Sequence, residues 1–188
     1  MQLTLPLFLT LMRVAAIPVV LALFYVDIQY ARQFATVLYA AAGITDWLDG
    51  YLARRWNQTS AFGAFLDPVA DKLLVAVCLI MLLRDEPAGL LAIVVAIIIG
   101  REITISALRE WMAEIGQRTS VAVSWIGKWK TALQMIAIGM MIWKIDTFGL
   151  PIYKMGYGLL LVAAVLTLWS MFVYLRAAWP VLRDSGAR

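Results

Sequence analysis

Four aspartates, Asp46, Asp49, Asp67 and Asp71, fall in the stretch D-W-L-D-G-Y-L-A-R-R-W-N-Q-T-S-A-F-G-A-F-L-D-P-V-A-D of a chain whose residues are 63% hydrophobic. A carboxylate at the centre of a bilayer costs about 2.5–3.5 kcal/mol on insertion scales, so four of them need a compensating partner. A divalent cation suits their chemistry. On a helix Asp46, Asp49, Gly50 and Ala53 stand at i, i+3, i+4 and i+7, which places two carboxylates and two small residues on one face. Gly63, Asp67 and Asp71 step by four along the next apolar segment and share a face in the same way. If the two faces meet, four carboxylates converge and could hold one or two divalent ions, and a pair of ions can clamp both oxygens of a phosphoryl transfer. Any one i, i+4 pair would read as solvated interfacial charge balanced by Arg54, Arg55 or Lys72; the full constellation favours a site.

The elements that must carry these residues are apolar helices. With 15% charged residues and a mean hydropathy of +0.84 over 188 residues, the composition is that of an integral membrane protein of one domain, 1–188. Six apolar stretches can be drawn, roughly Leu5–Val26, Ala31–Leu52, Phe62–Leu83, Ala88–Leu108, Ser124–Trp143 and Tyr153–Ala177, predicting an all-α, polytopic protein. Breaks fall near Pro87, Gly116, Gly149 with Pro151, and Pro180; Pro68 must sit in a first turn or kink the third span. Residues 1–10 lack the basic start of a signal peptide. There is no His and only one Cys, which excludes Ser-His and Cys-His nucleophile pairs, Cys/His zinc sites and an internal disulfide. Hard oxygen ligands remain, suited to Mg²⁺ or Mn²⁺.

Lys and Arg divide unevenly between the two ends of these spans. Arg13, Arg54, Arg55, Lys72, Arg101, Arg109, Arg118, Lys128, Lys130, Arg176, Arg183 and Arg188 fall to one side, and only Arg32, Arg84, Lys144 and Lys154 to the other. The positive-inside rule then places both termini and the aspartates at the cytoplasmic face. Several of these charges lie within the spans, which implies a polar cavity open to that face. Trp47, Trp56, Trp111, Trp125, Trp129, Trp143 and Trp179 near predicted span ends read as an aromatic belt, and no basic tract argues for nucleic acid.

The pattern D-x-x-D-G-x-x-A-R, eight residues, G-x-x-x-D-x-x-x-D resembles the signature of the CDP-alcohol phosphatidyltransferase family, matched at Asp46, Asp49, Gly50, Ala53, Arg54, Gly63, Asp67 and Asp71. The resemblance implies six transmembrane helices, a homodimer, and a cytoplasm-facing pocket binding two Mg²⁺ or Mn²⁺ ions that neutralise the pyrophosphate of a CDP-linked donor. It would make the four aspartates metal ligands, Gly50, Ala53, Arg54 and Gly63 the residues that shape and contact the CDP part, and Asp71 the general base. Such a base would take the proton of an incoming hydroxyl.

The rest of the chain resembles one branch of that family, whose members act on CDP-diacylglycerol with glycerol 3-phosphate as acceptor, in making anionic phospholipid. The resemblance lies in Leu5–Pro18, in Lys72 after the last motif aspartate, in I-I-G-R-E-I-T-I-S-A-L-R-E, and in V-A-V-S-W-I-G-K-W-K-T. It implies a multi-pass protein of a bacterial inner membrane. A phosphorylated acceptor needs fixed cations, and Arg101, Arg109, Lys128 and Lys130 are the candidates, with Glu102 and Glu110 able to orient them. Arg118 is better explained by lipid headgroups. Branch members carry Pro-Asn where this chain has Pro6-Leu7, so Thr10 and Arg13 are lesser candidates on a first span that has lost one polar contact. The alternatives are a family enzyme with serine or inositol phosphate as acceptor, or a divalent-cation transporter, for which inverted repeats and midplane carboxylates would be expected.

Overall fold

A computed structural model of the chain describes residues 5–56, 61–87, 89–116 and 125–185. Six helices account for nearly all of them: α1 Leu5–Leu23, α2 Ala31–Trp56, α3 Ala61–Asp85, α4 Gly89–Glu114, α5 Trp125–Trp143 and α6 Ile152–Ser185. No strand occurs among the described residues, and the fold is all-α as expected. Two helices, α4 and α6, are apolar enough over a sufficient length to cross a membrane on that criterion alone.

Each helix follows from its sequence pattern, and each ends for a local reason. Helices α2, α4 and α6 run past the apolar stretches that announce them, because Arg54, Arg55, Arg109, Glu110 and Glu114 are themselves good helix formers. Gly116 closes α4 in the left-handed region, φ 77°, donating its N–H to the Ala113 carbonyl at 3.2 Å. Between α5 and α6, Phe148 and Gly149 both have positive φ, 55° and 74°, and the Leu150 N–H reaches the Thr147 carbonyl at 3.1 Å. These are the marks of a type I′ turn, for which a glycine is suited. Pro151 then opens α6, its carbonyl accepting from Met155 at 3.0 Å.

Pro180 does not end the last helix, which continues to Ser185, and of the two places open to Pro68, a first turn or the interior of the third span, it takes the interior of α3. In both places the ring costs one backbone hydrogen bond while the helix on either side persists.

Helix α5 packs most extensively on α6; α1 lies against α2 and α3, α2 against α5, and α4 against α6 and α3. The core is built from Val20 and Phe24 of α1, Tyr39 of α2, Leu79 and Leu82 of α3, Leu91 and Ile98 of α4, Ile138 and Met141 of α5 and Leu160 of α6. At one end of the bundle an ion pair from Arg32 to Asp85 ties the start of α2 to the end of α3, with Arg32 and Arg84 stacked over Phe24 and Tyr25, each 4.0 Å from the ring centre. The outward faces are strongly apolar: Ile44, Phe65, Ile103 and Val165 are each about two-thirds exposed.

The tight α5–α6 contact depends on Gly156. A Cβ there would stand 2.9 Å from the Ala137 carbonyl oxygen and 2.9 Å from Met140 Cβ. Gly156→Val is expected to destabilise the protein by about 1–3 kcal/mol through overpacking, read as a lower Tm in detergent. An unchanged Tm would show that the two helices separate freely.

Candidate functional site

The core stripes of all six helices turn polar at the same end of the bundle. On α1 the buried series Phe24, Val20, Ile17 continues into Arg13, Thr10 and Leu7; on α2 Ala35, Tyr39 and Ala42 lead to Asp46. On α3 Leu82, Cys78 and Leu74 lead back to Asp71 and Asp67. The same occurs on α4 from Ile98 to Arg101 and Glu102, on α5 from Met141 and Ala137 to Gln134 and Lys130, and on α6 from Leu160 to Thr167 and Ser170. Spacing of three and four keeps each polar group on the face already committed to the interior. Apolar packing in one half of the bundle therefore holds charged groups inward in the other half.

Two charged clusters result. In the first, Arg13 is buried, and its Nη1 donates to Asp46 Oδ1 at 3.1 Å and to Asp71 Oδ1 at 2.7 Å. One turn earlier on α1, the Thr10 hydroxyl donates to Asp67 Oδ1. A pocket of about 90 Å³ adjoins Asp46 and Asp71 and is also lined by Tyr39, Gly43, Thr131 and Gln134. A larger apolar cleft between α2 and α5, about 430 Å³, shares Tyr39, Gly43 and Met135 with it.

In the second cluster Glu102 Oε1 accepts from Lys130 Nζ at 2.9 Å and from Arg101 Nη1 at 3.0 Å. Arg101 Nη2 donates to Ser170 Oγ at 3.0 Å, and the Ser170 hydroxyl donates to the Thr167 carbonyl at 2.9 Å. The guanidinium also lies 5.9 Å from the ring centre of Tyr174. One carboxylate thus holds two cations from different helices, leaving a local surplus of positive charge.

The sequence-derived candidates fare unequally. Among the described residues Asp46 and Asp71 meet at Arg13, and Asp67 is held by Thr10, one turn from Arg13 on the same helix. The side chain of Asp49 lies outside the described residues, as do those of Ala53, Arg54 and Lys128; Gly50 lies in the closing turns of α2, and Gly63 is buried on α3. Arg118 is outside the described residues altogether. Arg101 and Lys130 come together, whereas Arg109 and Glu110 are exposed on α4 away from them. Thr10 and Arg13, lesser candidates by sequence, prove central. Tyr39, Thr131, Gln134 and Ser170 were not singled out; the available signal for Gln134 was its position four residues after Lys130 on the same helical face.

The donor set fits a divalent cation. A single positively charged nitrogen already stands within hydrogen-bonding reach of both Asp46 and Asp71, so these oxygens are placed to share one cation, and they are hard ligands.

The fold, an all-helical bundle with acidic and basic clusters at one end, carries the D-x-x-D-G-x-x-A-R…G-x-x-x-D-x-x-x-D motif on α2 and α3. The chain belongs to the CDP-alcohol phosphatidyltransferase family, whose sequence model matches residues 3–173. Similar relatives include the CDP-diacylglycerol–glycerol-3-phosphate 3-phosphatidyltransferase of Haemophilus influenzae, 47% identical over 185 residues that cover 98% of each chain. Proteins of the same name from Salmonella typhimurium and Shigella flexneri are 50% and 49% identical over 184 residues, covering 98% of this chain and 100% of theirs.

Glu102 is the counter-charge on which the second cluster rests. Glu102→Gln leaves two mostly buried cations with a neutral acceptor and is expected to cost about 1–3 kcal/mol, visible as a lower Tm in detergent. Adding Lys130→Met should recover part of the loss; additive losses in the double variant would contradict the coupling.

Proposed function

We propose that this chain is a polytopic membrane enzyme that transfers the phosphatidyl group of CDP-diacylglycerol to sn-glycerol 3-phosphate, giving phosphatidylglycerophosphate and CMP. The observation that carries it is the pairing at one end of the bundle of an aspartate cluster on α2 and α3 with the Arg101–Glu102–Lys130 cluster on α4 and α5. The relatives' names point to the same two substrates.

Asp46, Asp49, Asp67 and Asp71 would hold Mg²⁺ or Mn²⁺, two ions in this reading, which when bound neutralise the donor's pyrophosphate and the charge of the departing CMP. Gly50, Ala53, Arg54 and Gly63 shape the site for the CDP part. Asp71 accepts the proton of the acceptor hydroxyl, whose oxygen then bonds to the phosphorus that carries diacylglycerol. The bond from that phosphorus to CMP breaks, and CMP leaves with the electron pair. Lys130 and Arg101, held by Glu102, attract the dianionic phosphate of the acceptor, aided by Lys128. A neutral acceptor would draw no benefit from this charge. Diacylglycerol must remain in an apolar medium, and the α2–α5 cleft beside the Asp46 pocket offers one.

The membrane reading rests on the apolar outer faces of the bundle and on the side of the molecule where Lys and Arg collect. It has six spans, with both termini and the site facing the cytoplasm of a bacterium, and the chain acting as a homodimer.

CMP release by the purified protein, measured with glycerol 3-phosphate, serine or inositol phosphate as sole acceptor, tests the reading. Activity is expected with glycerol 3-phosphate; activity with serine alone would overturn it. Asp71→Asn is expected to lower kcat at least about 100-fold while the donor still binds. Lys130→Ala is expected to raise KM for glycerol 3-phosphate about tenfold or more and to change KM for the donor little. An equal effect on both would remove Lys130 from the acceptor site.

A further inference from the structure

Arg13 presents a problem that the transfer reaction does not explain. Its side chain is almost wholly buried, and one guanidinium nitrogen is shared between Asp46 and Asp71, two residues assigned above to metal. A guanidinium and a divalent ion cannot occupy the same space between two carboxylate oxygens. Removing the guanidinium with nothing in its place would leave two neighbouring, half-buried carboxylates to repel each other. The position of Arg13 is not accidental, because α1 is held to α2 and α3 by the buried stripe of Ile17, Val20 and Phe24, and Thr10 anchors the same face to Asp67.

We infer that Arg13 is a built-in stand-in cation: it neutralises Asp46 and Asp71 in the metal-free protein, preserves their spacing, and is displaced from them when a divalent ion binds. The inference rests on the proposed role of these aspartates as metal ligands. The long Arg side chain lets the charged head swing aside while its stem stays packed. Phosphate oxygens of an arriving donor are a suitable new partner, since guanidinium pairs with phosphate as readily as with carboxylate. Arg13 therefore draws the two aspartates to one shared positive charge and competes with the metal for them. Removing it should make metal binding tighter and the metal-free protein less stable. A residue with a merely supporting role would weaken metal binding when removed.

The test is equilibrium binding of Mn²⁺ to purified full-length protein in detergent, followed by electron paramagnetic resonance, with Tm measured in chelator and in saturating Mn²⁺. Wild type, Arg13→Met, Arg13→Lys and Asp46→Asn are compared. Arg13→Met is expected to bind Mn²⁺ about tenfold or more tightly than wild type, to melt lower in chelator, and to gain more Tm from Mn²⁺. Arg13→Lys, which keeps the charge and the long stem, should fall between the two, and it provides the comparison if Arg13→Met does not fold. Asp46→Asn should bind Mn²⁺ more weakly. Unchanged or weaker binding in both Arg13 variants, with Asp46→Asn weakened, would overturn the stand-in role and leave the metal site standing. Absence of Mn²⁺ binding in wild type, or no effect of Asp46→Asn, would overturn the metal assignment and the stand-in role with it.

Discussion

The interaction on which the rest of the structure depends is the contact of the buried Arg13 guanidinium with Asp46 and Asp71. It joins α1, α2 and α3 at the point where the aspartate motif becomes a site. Burying a charge without a partner costs several kcal/mol, so the buried Arg13 requires its two half-exposed carboxylates. With Thr10 on Asp67, α1 supplies donors to Asp46, Asp67 and Asp71, which the motif itself leaves unbalanced. A helix outside the signature, α1, thus supplies its donors.

A bundle whose cores are apolar at one end and charged at the other has a simple physical basis. Side chains three and four residues apart share a face, so a helix that buries Leu74 and Cys78 must turn Asp71 and Asp67 toward the same interior. Across the bundle, α4 and α5 do the same with Arg101, Glu102 and Lys130. Acidic and basic clusters stay distinct, each with its own internal counter-charge. The proposed reaction, with a metal-bound pyrophosphate beside a second phosphate, would need that separation, since merged clusters would neutralise each other.

Much of this was legible in the sequence, and the reasons are local. Periodicity and hydropathy locate six helices, and Gly116 and Gly149 mark real breaks because their backbones need positive φ. Pro180 was misleading, since a helix held by its neighbours tolerates the loss of one hydrogen bond. Asp46, Asp67 and Asp71 stand out because their cost in an apolar chain is so high. Arg13 and Thr10 did not, since one Arg near a helix end is commonplace and its partners lie 33 and 58 residues away. Arg101 and Arg109 looked equivalent on α4, yet eight residues is two turns plus most of a quarter turn, and only Arg101 reaches Glu102 and Ser170. Spacing fixes which residues share a face of one helix; which face meets which neighbour is a property of the packed bundle.

Membership of the CDP-alcohol phosphatidyltransferase family and near full-length similarity to glycerol-3-phosphate-using relatives give the proposed chemistry its direction. Its central claim is that the acceptor hydroxyl attacks the phosphorus bearing the lipid, next to Asp71, and displaces CMP. Glycerol 3-phosphate carrying ¹⁸O in its C1 hydroxyl tests this most directly, with mass spectrometry of both products after turnover by the purified protein. The account predicts the label in the phosphodiester of phosphatidylglycerophosphate and none in CMP; label recovered in CMP would contradict it.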